Sequence, residues 1–382
     1  MPEIFTVSPK LKIIKNTECD IIEKALKRYI KILNLHKPSI RVKKTKKEDS
    51  PEITSLNVLV SKDFCPEHPV LGMDESYVLR ANQSEVIIEA DEVWGALRGL
   101  ETFSQLFYYN GTRQYFQSAY VKDSPRFPHR GLLLDTSRHY FSLKVIKAII
   151  ELMAMNKMNV FHWHMVDGEA FPYASEVYPE FTKGAYDENH IYRISDIKEI
   201  IDFARLRGVR VMPEIDTPGH VASWGFGMEF MTSKCFDKKG VEMGKRDRGM
   251  LDVSNKKMWD ALIALFKELM TVYPDQYFHL GGDETTFWMD TCWENNAKIK
   301  EFMGYWGLNS TTQLEQWYFD QLFMHLGLRD MPKKKFIVWQ EVVDMGIKLP
   351  DGIIAHIWTG NRSEQLADVT KKGHMALLSE CW

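Results

Sequence analysis

From residue 131 onward, short and almost wholly apolar runs alternate with amphipathic segments. The runs are GLLLDTS (131), MNVFHWHMVD (158), VRVMPEID (209), YFHLGGDE (277), FIVWQEV (336), GIIAHIW (352) and MALLSECW (375). Between them, SLKVIKAIIELMAMN, ISDIKEIIDFARLRG and KKMWDALIALFKELMTVYP carry apolar residues at helical spacing. A strand without polar alternation has to be covered on both faces, which parallel strands achieve when helices connect them. Seven β/α units can be counted in this way. A doubly wound sheet would alternate similarly, but no GxGxxG follows the first strand, and polar residues gather at the C-terminal end of nearly every run. That distribution points to a TIM-type (β/α)8 barrel, whose site lies on that face.

The pattern changes at DSPRFPHR, so residues 126–382 are assigned to the barrel and 1–125 to a small α+β domain. In the first part, Ile21, Ile22, Ala25, Leu26, Tyr29, Ile30 and Leu33 recur every third and fourth position, as in an amphipathic helix. The basic stretch RVKKTKKEDSPE has no apolar period and reads as a solvated loop. SLNVLVS and ESYVLRANQSEVIIEA alternate as a half-buried antiparallel sheet would, and VWGALRGLETFSQLF reads as a helix. At 382 residues, with 45% hydrophobic and 26% charged, the chain can bury two cores.

Composition also excludes partners. Lysine and arginine total 49 against 52 acids, a net charge of -3, which gives no general attraction to a phosphate backbone; no nucleic-acid partner is expected. No window approaches about 18 consecutive apolar residues, so no membrane span is expected, and MPEIFTVSPKLKIIKN lacks the apolar core and cleavage site of a signal peptide. Cys19, Cys65, Cys235, Cys292 and Cys381 lack CxxC spacing, which removes zinc-ribbon and thioredoxin readings. Sequons at Asn82, Asn110, Asn309 and Asn361 hint at glycosylation in an oxidising compartment, whereas the absent leader argues the other way unless the start of the chain was removed.

The densest chemistry is HLGGDE, where two glycines and the adjacent acids Asp283 and Glu284 end an apolar strand. Acids in such a place need a reason, either capping the next helix or acting on a substrate. A carboxyl pair suits glycoside hydrolysis, but sequence neighbours fit poorly as groups opposed across a scissile bond, about 5 to 5.5 Å apart. A substrate that supplies its own nucleophile removes the difficulty. His162 and His164 share one strand face, yet nothing there resembles HExxH, so a metal is rejected in favour of a hydrogen-bonded core role. EIDTPGH brings Glu214, Asp216 and His220 to a strand end, where a histidine can bridge acids. Most of the 11 tryptophans, including Trp94, Trp259 and Trp317, sit on helical apolar faces as core. Trp339 and Trp358 end strands beside polar residues, where a flat wall with an N–H donor suits a pyranose.

FPHRGLLLDTSRHY, NKMNVFHWHMVDGEAFPY, FARLRGVRVMPEIDTPGH, HLGGDE, CWENN and VWQEV closely resemble the lysosomal β-N-acetylhexosaminidases of glycoside hydrolase family twenty, from about Cys19 to Trp382. The resemblance implies an exo-acting enzyme that releases terminal GlcNAc or GalNAc from glycolipids, glycoproteins or chitin-like oligosaccharides, with no metal or cofactor. It makes Glu284 the general acid/base and Asp283 the group that orients the substrate's 2-acetamido oxygen for attack on C1. It assigns Arg138 to the outer sugar hydroxyls, Asp167 and His220 to a proton-holding chain reaching Glu284, and Trp339 and Trp358, 19 positions apart, to the pocket walls. A buried Glu284 beside an ionised Asp283 would hold its proton more tightly. The resemblance further implies disulfides Cys19–Cys65 and Cys235–Cys292, an unpaired Cys381, a lysosomal or secreted location, and a dimer when full length.

Two departures qualify these expectations. Where the family usually has two consecutive aspartates, Asp167 is followed by Gly168, so a polar pocket-side group is lost. The sequence also ends at Trp382, inside the seventh unit, before the family's acetamide-holding tyrosine, a further pocket tryptophan and the eighth strand. Residues 1–382 alone are therefore expected to be inactive and marginally folded. The alternative reading that follows is a non-catalytic fragment or isoform that only binds sugar or pairs with a full-length subunit.

Overall fold

A computed structural model describes residues 4–35, 52–82, 84–110, 113–327 and 334–379. Most of the basic stretch read as a loop, the side chain of Asn110 with the rest of its sequon, and Cys381 lie outside the described residues. The chain forms two compact units.

The first comprises Met1–Leu132, Lys147–Val160 and Asp202–Arg210. Its strands are β1 (Ile4–Lys15), β2 (Glu52–Val60), β3 (Tyr77–Ala81), β4 (Glu85–Ala90), β5 (Phe107–Asn110), β6 (Arg113–Gln117) and β7 (Ala119–Asp123), in the order β5-β6-β1-β2-β4-β3-β7. Alternation in β3, in β4 and from Leu56 onward in β2 puts every second side chain on the core face. There they pack with the helices Asp20–Leu35 and Val93–Gln105, which contribute Ile21, Ile22, Leu26, Tyr29, Trp94, Leu97, Leu100 and Phe103. The sheet is mixed, not antiparallel as the alternation suggested: β2 runs parallel to β1 and β4, while β3 is antiparallel to β4 and β7. A helix joins β1 to β2 and returns the chain to its starting end, which makes that pair parallel. The strand β1 itself was not evident in the sequence, because Pro9 and scattered lysines break its alternation. A disulfide links Cys19, at the start of the first helix, to Cys65.

The second unit comprises Leu133–Ile146, Phe161–Ile201 and Val211–Trp382. Seven strands form one sheet in sequence order: β8 (Gly131–Asp135), β9 (Val160–Val166), β12 (Arg210–Ile215), β13 (Tyr277–His279), β14 (Lys335–Trp339), β15 (Ile354–Ile357) and β16 (Met375–Leu378). The small ribbon β10 (Tyr173–Ala174) and β11 (Tyr192–Arg193) lies between β9 and β12 in the chain. Successive pairs from β12 to β16 are parallel, and helices such as Ile194–Arg205, Lys256–Val272, Thr311–Leu326 and Arg362–Lys371 connect the strands, as in a TIM-type barrel. Each of the seven apolar runs contributes a strand to this sheet. Every residue of β9, β12 and β13 is buried, as two covered faces require, whereas β8 and β16, the sheet's two edge strands, are partly exposed. A second disulfide ties Cys235, after β12, to Cys292, after β13. No helix among the described residues is long and apolar enough to cross a membrane.

The first unit also contains a buried ionic knot that sequence reading did not find. Glu75 accepts from Arg98 Nε at 2.7 Å, from Arg130 Nη2 at 2.7 Å and Nη1 at 3.0 Å, and from Asn159 Nδ2 at 2.9 Å. Arg98 is 3% exposed, so its charge has little water to fall back on. Glu75→Gln is therefore expected to cost about 3 to 5 kcal/mol, the range for leaving a buried partner unpaired. Urea unfolding compared with the parent checks this; a loss below about 1 kcal/mol, the scale of a surface pair, would show that the knot is not holding the unit together.

Candidate active site

The candidate residues come together at the C-terminal ends of the second sheet's strands. Arg138 follows β8, Asp167 follows β9, Asp216 and His220 follow β12, Asp283 and Glu284 follow β13, Trp339 ends β14, and Trp358 follows β15.

Beneath them lies Glu214, in β12 and fully buried. His162 Nε2 lies 2.6 Å and His164 Nδ1 3.2 Å from its Oε2, while His279 Nδ1 lies 3.4 Å from Oε1 and Trp339 Nε1 donates to Oε1 at 2.8 Å. Positions 162 and 164 reach the same carboxylate because alternate strand residues share a face. Burial acts to raise the pKa of Glu214, but the imidazoles of His279, His164 and His162 outweigh it and hold the carboxyl well below its ordinary range. Conversely, burial pushes His279 down to about 3, against the pull of Glu214. His162, Glu214 and His279 are spaced closely enough to hold an ion, but all are buried, and the open position of a catalytic metal has no place there.

Above this layer, His220 links three acids. Its Nδ1 lies 3.0 Å from Asp167 Oδ1, and its Nε2 lies 3.4 Å from Glu284 Oε2 and 3.7 Å from Asp283 Oδ2. Burial alone would lower its pKa; the hydrogen bond to Asp167 and its place among the acids Asp216, Asp167 and Asp283 overcome that and raise it to about 10. Oxygens of Asp283 and Glu284 and a ring nitrogen of His220 all lie within 4.8 Å of one another, so the two acids meet on one imidazole. Asp283 is raised by burial, with the charge of His220 and a hydrogen bond from Asp216 opposing the rise. Asp216, fully buried, has its own pKa pushed well up by burial and by Asp283, so it keeps the proton of that pair.

The turn that carries the acids is tightly specified. Gly281 and Gly282 have φ of 74° and 98°, and a Cβ on Gly281 would overlap the Asp216 carboxylate. Glu284 and His220 are left-handed at φ 51° and 56° without being glycine, conformations that persist where surrounding structure imposes them. The Glu284 side chain is 55% exposed, so the burial expected to make it hold its proton is not found.

Other placements modify what the sequence suggested. Arg138 Nη1 lies 2.9 Å from Asp135 and 2.7 Å from Asp167, and its Nε lies 3.0 Å from Glu169. Glu169 thus puts a third carboxylate beside the arginine, one position beyond Gly168. Both tryptophan N–H groups are taken up inside the protein, that of Trp339 by Glu214 and that of Trp358 by Glu341, so the donors expected of these two residues are already engaged.

Two family models match the chain: "Glycosyl hydrolase family 20, catalytic domain" over residues 127–381, and "beta-acetyl hexosaminidase like" over residues 3–106. The chain belongs to glycosyl hydrolase family 20. Relatives include beta-hexosaminidase A of Caenorhabditis briggsae, 45% identical over 330 residues that cover 84% of this chain and 59% of that protein. Human beta-hexosaminidase subunit beta is 39% identical over 393 residues, covering 100% of this chain and 68% of that protein. Among solved structures, the chitobiase of Flavobacterium johnsoniae superposes with a TM-score of 0.80 at 28% identity, covering 98% of this chain and 56% of that one. The chain thus spans about three fifths of the nematode relative's length.

Within this family 20 site, sequence reading missed Glu169, Glu341 and the Asp216–Asp283 contact. Glu341 stood in the WQE motif and Asp216 in EIDTPGH, but no spacing rule says which distant side chain each acid meets.

Because His220 is raised above its unfolded value of about 6.5, its pairing with Asp167 stabilises the fold fully below about pH 6.5 and ceases to do so as pH rises through about 10. Thermal unfolding followed across that window is expected to show a steeper fall in Tm for the parent than for Asp167→Asn. Parallel curves would mean that Asp167 does not set the imidazole's charge.

Proposed function

We propose that this protein is an exo-acting β-N-acetylhexosaminidase that removes terminal β-linked GlcNAc or GalNAc from glycoconjugates with retention of configuration. The observation that carries this reading is the convergence of Asp283 and Glu284 on the single imidazole of His220. Two acids on one side of the site cannot flank a glycosidic bond as acid and nucleophile, so the nucleophile has to come from the substrate. In the first step the 2-acetamido oxygen forms a bond to C1, the C1–O bond to the leaving group breaks, and Glu284 gives that oxygen its proton. In the second step water attacks C1, Glu284 takes the water's proton, and the acetamide is released. Asp283, kept in place by the proton of Asp216, orients the acetamide N–H and offsets the positive charge that develops on the ring-closed intermediate. The exposure of Glu284 suits a group that exchanges its proton with water once per turnover.

Asp167 holds His220 as an imidazolium, and its Nε2 lies 3.4 Å from Glu284, behind the acid that serves the leaving group. Arg138 fixes the outer hydroxyls, with Asp135, Asp167 and Glu169 holding its guanidinium in one orientation. Trp339 and Trp358, with ring centroids 6.4 Å apart at 70°, provide the apolar walls.

The relatives named as beta-hexosaminidases support the reaction class, and those named as subunits support the dimer that we include in the proposal. The two disulfides and the exposed asparagines Asn82, Asn309 and Asn361, each opening a sequon, support a lysosomal or secreted location with glycans at those positions.

For protein from its native source, hydrolysis of an aryl β-GlcNAc tests the activity. In a recombinant form shown to have the parent's activity, Glu284→Gln is expected to lower kcat by about 10² to 10⁴ on substrates with poor leaving groups. Activated aryl glycosides should lose less, because they leave without a proton; equal loss on both would mean that Glu284 is not the acid. Asp283→Asn should weaken a thiazoline mimic of the ring-closed intermediate far more than it weakens GlcNAc. Equal effects on the two, read by calorimetric titration, would reduce Asp283 to a structural residue of the turn.

A further inference from the structure

The segment after β14 is built to hold the segment after β15, and it does so with two adjacent side chains. Gln340 is buried; its Oε1 accepts from the backbone N–H of Trp358 at 2.9 Å and of Thr359 at 3.1 Å, while its Nε2 donates to Asp344 Oδ2 at 3.1 Å. This fixes where the Trp358 backbone sits but leaves the ring free to choose among rotamers. The next residue removes that freedom. Glu341 accepts the Trp358 indole N–H with both oxygens, at 2.9 and 3.0 Å. The ring is only partly buried, so packing alone does not dictate its orientation.

We propose that Glu341 is the positioning residue of the Trp358 wall, its carboxyl clamping the indole edge so that the ring face is presented to a sugar bound beside Asp283. The inference rests on the glycosidase reading for the identity of the ligand, though the clamp itself is a matter of geometry. A capping role for Glu341 at the helix Gln340–Asp344 does not account for the bidentate contact, since both oxygens reach the indole N–H.

The clamp has a natural reporter. Burial pushes the Glu341 carboxyl up to about 7, with its own backbone N–H opposing, the charge of Asp283 adding to the rise, the indole N–H opposing it, and Asp344 adding again. These are the groups that face it from its own helix, from the turn after β13 and from the segment after β15. The ionised form is the stronger acceptor, so the indole N–H bond tightens as pH rises through the neutral range. Trp358 should sense this although it does not itself titrate.

The test is an indole ¹H–¹⁵N spectrum of the full chain against pH, with the Trp358 signal assigned by its loss in Trp358→Phe. The signal is expected to shift with a midpoint near 7 in the parent, to lose that titration in Glu341→Gln, and to move towards the solvent-exposed position in Glu341→Leu. In an active preparation, Glu341→Leu should raise KM for an aryl GlcNAc roughly tenfold while lowering kcat far less, because a misplaced wall weakens sugar binding without touching the proton donor. An unchanged indole titration in Glu341→Gln, or an unmoved signal in Glu341→Leu, overturns the proposal without reference to activity. If the variants shift the signal as expected but GlcNAc added to the parent leaves it unmoved, the clamp stands and the identity of the ligand falls. A Glu341→Leu variant whose KM is unaltered despite a displaced ring overturns the assignment of Trp358 as a wall that Glu341 positions.

Discussion

The site depends on how Glu214 is kept ionised where no water reaches it. An unpaired carboxylate in such a place would take up a proton and cease to order its surroundings. Here three imidazoles and an indole N–H converge on it from β9, β13 and β14, and its own strand lies between β9 and β13. One buried charge therefore registers four strands against one another at their C-terminal ends. It also sets the direction in which Trp339 faces and the charge on His164, which rises well above its ordinary pKa because Glu214 and Asp167 outweigh its burial.

From that floor the upper layer follows. His164 contacts Asp167 at 3.0 Å, Asp167 contacts His220 at 3.0 Å, and His220 reaches the two acids of the turn. Charges alternate along this path from Glu214 through His164 and Asp167 to His220, so each of these ionised groups is stabilised by neighbours of opposite sign. The exception is Asp216 with Asp283, where two carboxyls meet; burial resolves it by leaving the proton on Asp216, the more enclosed of the two. The resulting site has one exposed acid that can exchange protons, one shielded acid that can hold a charge, and an imidazolium between them.

The barrel sheet was legible in the sequence because both faces of its strands are covered, and a short apolar run without alternation is what such cover demands. HLGGDE and EIDTPGH were legible for a related reason: acids and positive-φ glycines at the end of a buried strand conflict with ordinary core composition. What could not be read were pairings between segments far apart in the chain. Glu75 with Arg98 and Arg130, Trp339 with Glu214, and Trp358 with Glu341 each depend on which strand ends the fold brings together. The mixed pairing in the first sheet was hidden too, since alternation reports which face is buried and not which direction the neighbour runs. Exposure of Glu284 was missed because two adjacent residues were given one environment, although the left-handed turn sends Asp283 inward and Glu284 outward.

The central claim is that the arrangement of Asp283 and Glu284 on His220 leaves the nucleophile's role to the substrate. Hydrolysis rates for aryl 2-acetamido sugars in which the acetyl group carries one, two or three fluorines test this most directly, since each fluorine makes the amide oxygen a poorer nucleophile while leaving the departing group unchanged. The account predicts that kcat/KM falls steeply and in order along the series, by orders of magnitude at the trifluoroacetyl compound. A rate indifferent to fluorination would show that an enzyme group attacks C1, and would contradict the assignment of Asp283 and with it the mechanism.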